Sequence, residues 1–437
     1  MPARITAEEA AAMVRPGDWL DFGFGMGQPD AFDRALAARD ELGGPVWIRA
    51  ALSMRRRAVL DADPEGRRFA WLNWHFSGLD RRAHDAGAAH YIPMNFGEAP
   101  DLYRRFIEPV DMVVLKCCER DAGGYYNFSG ACTYHAALVE RARRVVVEVD
   151  PLLPRVRGRR NAVHESRVDF VVETDGHGAP ELGQGAPGDV DLLIARHVAA
   201  HVEDGACLQI GIGGLPNAVC AAIAESGVRD LGVHTEMLVD GLMGLHRAGR
   251  VTGARKRNGQ GKMVFTFAGG SGELNRFIHE NPALETWPVD ETNLPDRIMA
   301  NPGVVSVNST AQIDLQGQAA SESAGARHLT GTGGQLQFVR GAYASNAGKS
   351  FLCLPSTRTR PDGVMESRVV PGLQPGTIVT TPRTDVMYVA TEWGVVNLKG
   401  KSVPERARAL ISVAHPRFRE ELARGARDAR MVPAWFL

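Results

Sequence analysis

The chain carries one short pattern near its start and again past its middle. The first copy starts at Pro16 (PGDWLDFGFGMGQPDAFDRAL) and the second at Asp204 (DGACLQIGIGGLPNAVCAAI). Each runs from a short apolar segment through a glycine-rich turn and a proline into a segment with helical spacing. A repeat distance of about 190 residues is too long for a solenoid and predicts two related domains in tandem. The aligned pairs are Gly17 with Gly205, Leu20 with Leu208, Gly23 with Gly211, Gly25 with Gly213 and, after a one-residue gap, Pro29 with Pro216.

Two continuous apolar runs of strand length, 112–115 and 144–149, indicate the class of these domains. Strands that are apolar on both faces are typical of parallel sheets covered by helices, and the helical patterns between them favour βαβ units. The Gly- and Pro-rich stretch from Gly176 to Val190 is typical of a linker. We therefore predict an α/β fold of two tandem, related open α/β domains with mainly parallel sheets, spanning residues 1–185 and 186–437.

Composition excludes several classes of function. The 437 residues include 50 basic and 51 acidic side chains, so no strongly basic face for nucleic acid is expected. The six cysteines form no CxxC pair, which predicts buried free thiols in a reducing cytosol and no metal site. The N-terminus lacks a signal-peptide pattern, and no run approaches the roughly 20 apolar residues that span a bilayer. We expect a cytoplasmic protein with neither nucleic acid nor membrane as a partner.

The glycine turn of the second repeat is Gly211-Ile212-Gly213-Gly214-Leu215-Pro216. Glycines permit positive φ and close approach of a ligand, and a turn that feeds a helix presents backbone N–H groups to an anion. A dinucleotide fingerprint needs a glycine where Pro216 stands and an acidic residue at the end of a second strand about 20 positions later, and neither requirement is met here. The alternatives that remain are an anion-binding turn and a purely structural strand-to-helix turn.

A second glycine cluster, Gly331-Thr332-Gly333-Gly334-Gln335, precedes an apolar and aromatic stretch. It lacks the Gly-Lys-Ser/Thr sequence of a phosphate-binding P-loop. Lys349 follows it after Asn346-Ala347-Gly348. On sequence alone, this segment is equally consistent with a ligand-binding loop and with an ordinary loop that is followed by a solvated lysine.

One carboxylate stands at the end of a predicted strand. The segment Leu231–Met237 begins as a strand and ends in the polar triplet His234-Thr235-Glu236. In open α/β sheets, ligands bind outside the carboxyl ends of the strands. If the strand continues this far, His234 and Glu236 lie on the same face. A surface glutamate is the alternative interpretation.

With these motifs in place, the sequence resembles the acetyl-CoA hydrolase/transferase family of class I coenzyme A transferases, and most closely its butyryl-CoA:acetate and 4-hydroxybutyrate CoA-transferase members. The resemblance covers nearly the whole chain and is more specific in the second half. The motifs that carry it are GIGGLP, Glu236 at 25 positions after Gly211, Asn308-Ser309-Thr310, GTGGQLQFVRGA from Gly331, Thr391-Glu392-Trp393-Gly394, AHPRFR from Ala414, NWHFSG from Asn73 and YIPM from Tyr91.

The resemblance implies an enzyme that transfers coenzyme A from a short-chain acyl-CoA to a free carboxylate such as acetate. Glu236 would be the nucleophile and would carry coenzyme A as a glutamyl thioester in a ping-pong reaction. Coenzyme A would be a substrate, with no permanently bound cofactor. The residues predicted to contact it are Gly211, Ile212, Gly213, Gly214, Leu215, Ala311, Gly333, Gly334 and Lys349.

A carboxylic acid needs polar partners to enter a buried site. We expect the active site between the domains, with the acid side supplied by the first domain. Met26 and Met94 are candidates to contact a short alkyl tail, and Gln28 and Asn95 are candidates to bind the carboxylate. Homo-oligomers are the usual state for such enzymes. Two alternative functions are an acyl-CoA hydrolase that uses the same glutamate and a non-catalytic acyl-CoA-binding protein.

The sequence departs from the family pattern at two places away from the nucleophile, and the second bears on acyl or acceptor specificity. Gln337 stands where an aspartate is common, and Lys116-Cys117-Cys118-Glu119 replaces a stretch that is usually small and polar. The run Arg55-Arg56-Arg57 has two interpretations, a solvated charged face or a site for coenzyme A phosphates or a dicarboxylate.

Overall fold

The computed structural model describes residues 1–183, 185–433 and 435–436. Gln184 lies outside the described residues, although it falls inside the predicted linker; so does Leu437, the predicted end of the second domain. The chain forms two compact units, the first made of residues 1–183 with Glu236–Leu238 and Met263–Leu294. The second unit is the rest of the described chain. The predicted domain boundary after residue 185 stays a prediction.

The part of the chain up to residue 183 alternates strands and helices, as βαβ units require. Its strands are β1 (Ala3–Ile5), β2 (Trp19–Phe24), β3 (Val46–Ala51), β4 (Phe69–Asn73), β5 (Ala89–Tyr91), β6 (Met112–Cys117), β7 (Tyr125–Asn127), β8 (Val145–Val149), β9 (Ala162–His164) and β10 (Phe170–Glu173). Its helices are α1 (Ala7–Ala12), α2 (Ala31–Ala37), α3 (Ala58–Ala62), α4 (Gly78–Asp85), α5 (Ala99–Arg105) and α6 (His135–Arg141), with short 3₁₀ turns at Gly25–Gly27, Phe96–Glu98 and Glu165–Arg167.

The rest of the chain continues the alternation. Its strands are β11 (Cys207–Ile210), β12 (Gly232–Leu238), β13 (Met263–Ala268), β14 (Leu284–Thr286), β15 (Val304–Ser309), β16 (Gln312–Asp314), β17 (Ala319–Ala320), β18 (Ser323–Ala324), β19 (Arg327–His328), β20 (Lys349–Cys353), β21 (Thr357–Thr359), β22 (Met365–Ser367), β23 (Val369–Val370), β24 (Tyr388–Thr391) and β25 (Gly394–Asn397). Its helices are α7 (Asp189–Ala199), α8 (Gly214–Glu225), α9 (Asp240–Arg247), α10 (Gly272–Ile278), α11 (Val289–Thr292), α12 (Pro295–Met299), α13 (Gln335–Ala344), α14 (Val403–Ser412) and α15 (Arg419–Asp428), with a 3₁₀ turn at Pro416–Phe418.

The first unit contains a sheet in the strand order β1-β10-β8-β6-β2-β3-β4-β5. Every pairing in it is parallel. Its central strands are buried on both faces; β8, for example, is the run VVVEV. β-branched residues suit such a strand because their side chains pack well on a pleated surface. The predicted apolar runs at 112–115 and 144–149 are thus confirmed as strands.

The second unit repeats this arrangement. Its strands follow the order β12-β11-β15-β20-β24-β25, parallel except for the last pair. In both units, the strand of the repeat lies between the strand that follows it in sequence and a later one. β2 lies between β3 and β6, and β11 lies between β12 and β15. Each unit therefore has a topological switch point at the repeated glycine turn, which is where such sheets bind ligands.

The predicted repeat is a repeat of structure. Gly17 and Gly205, which precede the two strands, have nearly equal positive φ angles of 84° and 82°. Gly25 and Gly213, which follow the strands, also have positive φ angles, of 54° and 122°. Glycine is needed at such positions because a side chain would be strained there. The predicted two-domain α/β class with mainly parallel sheets is confirmed.

Each unit has its own apolar core. The core of the first packs Phe22, Phe32 and Trp71 against its sheet, and that of the second is built around residues such as Leu352 and Leu410. Among the described residues, none of the helices is both long and apolar enough to cross a membrane.

Candidate active site at the glycine turns and Glu236

Glu236 lies near the carboxyl end of β12, where a carboxylate can reach a ligand outside the sheet. The strand continues two residues past it, to Leu238, so His234 and Glu236 lie on the same face as predicted. His234 is buried, whereas Glu236 is partly exposed. Partial exposure suits a group that must be ionised to act as a nucleophile.

A buried amide holds the Glu236 carboxylate. Nδ2 of Asn293 donates a hydrogen bond to Oε2 of Glu236 at 2.5 Å. Asn293 directly follows α11 and is fully buried. The Thr292 hydroxyl donates to Oδ1 of Asn293 at 2.9 Å. Because Oδ1 accepts from this hydroxyl, the amide is oriented with its NH₂ group toward the carboxylate. Sequence reasoning missed Asn293, since no local pattern marks it.

The first glycine turn leads from β11 into α8. The Gly211 N–H donates to Val307 O at 3.3 Å, which ties the start of the turn to β15. Gly213 caps the helix with φ 122° and ψ −179°. The first amides of a helix have no partner within the helix, so those of Gly214 and Leu215 point outward at the N-terminus. Ile212 is exposed.

The second glycine turn precedes α13 and is held by a buried glutamate. Gly333 has φ 56°, and Gly334 caps the helix. The carboxylate of Glu322 accepts hydrogen bonds from the hydroxyls of Thr332 and Thr380, each at 3.0 Å. This anchoring fixes the turn ahead of α13. Each of the two glycine turns therefore leads into the N-terminus of a helix.

A pair of amide side chains links β11 and β15 just ahead of the first turn. Nδ2 of Asn308 donates to Oε1 of Gln209 at 3.1 Å, and Nε2 of Gln209 donates to Oδ1 of Asn308 at 3.3 Å. Ala311 follows β15, and its own N–H donates to Ala320 O at 2.9 Å. A ligand at this point would therefore meet the methyl group or the carbonyl of Ala311.

The structure does not bring Lys349 to this edge of the sheet. Lys349 begins β20 and pairs with Val305, near the start of β15, whereas Ala311 follows the end of β15. Its ammonium group donates to Glu203 at 2.6 Å and to His201 O at 2.9 Å. The expectation that Lys349 contacts coenzyme A together with the glycine turns is corrected accordingly: a strand of five residues separates it from that edge.

Two of the predicted acid-binding residues lie at the switch point of the first unit. Met26 is buried in the 3₁₀ turn after β2, with its sulfur 3.6 Å from the Ser129 hydroxyl. Gln28 is also buried and donates through Nε2 to Ala51 O at 3.0 Å. Its Oε1 has no hydrogen-bond partner within the described chain. This oxygen could accept a hydrogen bond from a substrate hydroxyl or from the O–H of a protonated acid.

The other two predicted residues precede α5. Met94 is buried. Asn95 donates through Nδ2 to its neighbour Glu98 at 3.0 Å, so one of its two amide hydrogens is used locally.

The arginine run and Lys116 form a buried ion cluster around Asp30. Arg55, Arg57 and Lys116 all contact this carboxylate, at 2.8, 2.9 and 2.7 Å. Burial alone would raise the pKa of Asp30, but Lys116 and then Arg57 lower it more, so the pKa lies well below its ordinary value. Arg56 is the member of the run that is solvated, and it pairs with an exposed aspartate. The solvated-face interpretation therefore holds for Arg56 and is wrong for buried Arg57, while Arg55 is partly exposed.

Together, these features define a two-unit α/β protein with an amide-held carboxylate at a strand end and two glycine turns ahead of helices. The chain belongs to the acetyl-CoA hydrolase/transferase family. The model of the family's N-terminal domain matches residues 3–180, and that of its C-terminal domain matches residues 270–426.

Relatives match over nearly their whole length. The chain is 42% identical to a probable butyrate:acetyl-CoA coenzyme A-transferase of Syntrophomonas wolfei, over 99% of this chain and 96% of that protein. It is 41% identical to the butyryl-CoA:acetate CoA-transferase of Anaerostipes caccae, over 98% and 96%. Among solved structures, RipA from Yersinia pestis superposes with a TM-score of 0.89 at 36% identity, covering 98% of both chains.

Proposed function

We propose that this protein transfers coenzyme A from a short-chain acyl-CoA to a free carboxylate, with Glu236 as the covalent carrier. The observation that carries the proposal is the hydrogen bond from buried Asn293 to the Glu236 carboxylate at the end of β12. Membership of the acetyl-CoA hydrolase/transferase family supports it. Relatives of about 40% identity named butyrate and butyryl-CoA transferases favour a short acyl chain.

The proposed reaction exchanges a thioester for a carboxylate without ATP. An oxygen of Glu236 attacks the acyl carbonyl, the C–S bond breaks, and coenzyme A leaves as a thiolate while the acyl group stays on Glu236 as a mixed anhydride. The thiolate then attacks the glutamyl carbonyl and expels the first carboxylic acid as its anion. The acceptor acid reverses both steps and leaves as a new acyl-CoA. Holding both partners in one site makes each attack effectively unimolecular.

Each attack passes through a tetrahedral intermediate with a developing oxyanion. Backbone N–H groups at the glycine turns, around Gly213-Gly214 and Gly333-Gly334, are the proposed donors. Fixed donors of this kind stabilise the oxyanion most effectively because they need not reorient during the reaction. The amide of Asn293, already bonded to Glu236, is a further donor beside the reacting carboxyl group.

We propose that the carboxylic acid contacts residues near the switch point of the first unit. Met26 and Met94 suit a short alkyl tail, since methionine adapts to ligands of different shape. Gln28 and Asn95 are the proposed polar contacts. The proposed contacts of coenzyme A are 211–215, Ala311 and Gly333-Gly334, without Lys349.

The test is one assay with butyryl-CoA and acetate that follows acetyl-CoA by chromatography and free thiol with a colour reagent. Transfer predicts acetyl-CoA that depends on acetate, with no net release of thiol. Thiol release without acetate would instead identify a hydrolase. Neither product would favour an acyl-CoA-binding protein or another acyl group, and mass analysis for coenzyme A on Glu236 separates those two.

The variant Glu236→Ala should form no adduct and should lose transfer while keeping its fold by circular dichroism. Glu236→Asp should lose most activity, because shortening the arm by one methylene misplaces the attack. The control is Glu225→Ala, which removes an exposed carboxylate at the end of α8. Near-normal transfer by Glu236→Ala would refute the covalent mechanism.

We also propose a cytoplasmic location and a homo-oligomeric state. All six cysteines are free and buried, as expected in a reducing compartment. Light scattering on the purified protein tests the oligomer, which is the common state of soluble enzymes.

A further inference from the structure

Three side chains meet over Gly269, the residue that follows β13. A methyl group added at Gly269 would lie 2.5 Å from Cε of Met237, 2.9 Å from Cδ1 of Leu182 and 3.5 Å from Cε of Met54. The first two distances are shorter than real contacts allow, so an alanine at Gly269 would force the ends of these side chains to move. The result is an apolar surface made of two methionines and a leucine.

This surface lies at the end of the strand that carries Glu236. Gly269 N donates to Leu238 O at 3.1 Å, two residues after the carboxylate. Met237 is the next residue after Glu236 and points to the opposite face of β12, so the two side chains can meet one ligand only beyond the end of the strand. Met54 also reaches the turn after β2, since its Cε is 3.1 Å from the position of a methyl group on Gly25. An acyl group on Glu236 that bends over the end of β12 would meet these side chains.

Leu182 is held in place through its own segment. Its N–H donates to Gly270 O at 2.8 Å. Upstream, Asp150 accepts hydrogen bonds from the N–H groups of His177 and Gly178, and Arg55 donates to the carbonyls of the same two residues. This part of the predicted linker, 176–182, is therefore fixed to the first unit by backbone hydrogen bonds rather than acting as a loose tether.

We propose that Leu182 is a specificity-determining residue: with Met54 and Met237 it forms the wall that limits the length of the acyl chain. The inference rests on the proposed function, because it assigns the acyl side of that same site. The two methionines are unbranched and can move aside for a longer chain, whereas leucine is branched and is fixed here by its backbone. Leu182 is therefore the member of the wall that sets the limit.

The test compares kcat/KM for acetyl-CoA, butyryl-CoA and hexanoyl-CoA, with acetate as acceptor or, for acetyl-CoA, propionate. Leu182→Ala should raise the hexanoyl-to-acetyl ratio by about tenfold or more, the discrimination expected for one or two methylenes in an apolar pocket. Leu182→Phe should lower the butyryl-to-acetyl ratio. The matched control is Leu193→Ala, which removes an exposed leucine from α7 and should leave both ratios unchanged.

Mass analysis of the wild-type protein for an adduct on Glu236 distinguishes failure of the role assigned to Leu182 from failure of the proposed function. An adduct on Glu236 together with opposite shifts in the two Leu182 variants supports the wall. An adduct with unchanged ratios in both variants overturns the role of Leu182 and leaves the transferase function standing. If the wild-type protein forms no adduct with any of the three thioesters, the proposed function fails and this inference fails with it.

Discussion

The contact between Asn293 and Glu236 does two things at once. As a donor, the amide stabilises the charged carboxylate, and hydrogen bonds to charged groups contribute about 1.5–3 kcal/mol. Because Thr292 fixes the amide, the carboxylate is also held in one orientation. Pre-orientation of the nucleophile raises the rate without tighter binding of substrate, so its loss should appear in kcat.

Asn293→Ala should therefore lower kcat for transfer by roughly 10- to 100-fold, the rate equivalent of one such hydrogen bond, with a smaller change in KM. The adduct on Glu236 should still form, but more slowly, in rapid-quench mass analysis. Asn346→Ala, at an exposed asparagine, is the control. Unchanged kcat in Asn293→Ala would show that the hydrogen bond has no part in catalysis.

Asp30 is the shared anionic partner of three cationic side chains, those of Arg55, Arg57 and Lys116. Removing its charge leaves Lys116 and Arg57 buried without their nearest anionic partner, which costs about 3–5 kcal/mol. Asp30→Asn should therefore lower the urea midpoint strongly at pH 7. Asp61→Asn, which breaks the exposed pair with Arg56, should hardly change it.

The stabilisation that Asp30 provides should decrease as the pH falls. Its pKa is lower in the folded than in the unfolded protein. The stabilisation is therefore complete above the unfolded value, about 4, and is lost as pH falls further. The difference in midpoint between wild type and Asp30→Asn should shrink between about pH 5 and pH 3. A difference that stays constant over this range would show that the charge of Asp30 is not the source of the effect.

At the scale of elements, the glycine turn before α8 connects β11 to the helix and is also the proposed site of contact with coenzyme A. Gly213 has positive φ and starts the helix, whereas Gly227, with φ 86°, follows the end of the same helix. An alanine at either position would be strained by the positive φ, and at Gly213 a ψ of −179° adds to the strain. Gly213 alone lies at the N-terminus, where helix amides face an anion or an oxyanion.

Gly213→Ala and Gly227→Ala should therefore both lower thermal stability, while Gly213→Ala alone raises KM for acyl-CoA and lowers kcat/KM. Steady-state kinetics and a melting curve for each variant measure the two effects. Equal kinetic changes in both variants would show that the turn acts only through stability.

Sequence and structure agree where the signal is local. The two copies of the repeat, the apolar strands and the strand-end position of Glu236 are each visible within a short window, whereas the strand order of the sheets is not. Asn293 is 57 residues from Glu236 and is brought to it by α11, a contact that no local pattern encodes. Lys349 was grouped with the second glycine turn by proximity in sequence, but the 10-residue helix α13 lies between them. The two ends of a helix are far apart in space, which explains the error.

The interpretation of the arginine run was incomplete for a related reason. Arg55 and Arg57 follow the patterns of surface arginines, yet the fold brings Asp30 and Lys116 to them from other strands and turns. Burial of a charge depends on partners distant in sequence, so composition alone favours the exposed interpretation.

On the scale of the whole molecule, the cysteines are spread over both units and are all buried and free. Burial raises the pKa of Cys220 and of Cys353 to about 12. For Cys207, burial also raises the pKa, to about 11, although Lys256 lowers it slightly. Thiols with such pKa values are almost entirely protonated at neutral pH, and the thiolate is the reactive form.

The native protein should therefore react slowly with an aromatic disulfide reagent at pH 7.5, with less than about one thiol titrated in minutes, and all six should react after unfolding in guanidinium chloride. Added free coenzyme A is the positive control, because its exposed thiol reacts at once. This outcome also validates the colour assay for thiol release, since any signal from the folded protein would then come from coenzyme A. Rapid titration of several thiols in the native state would show that the units open readily, which would contradict the burial of these side chains.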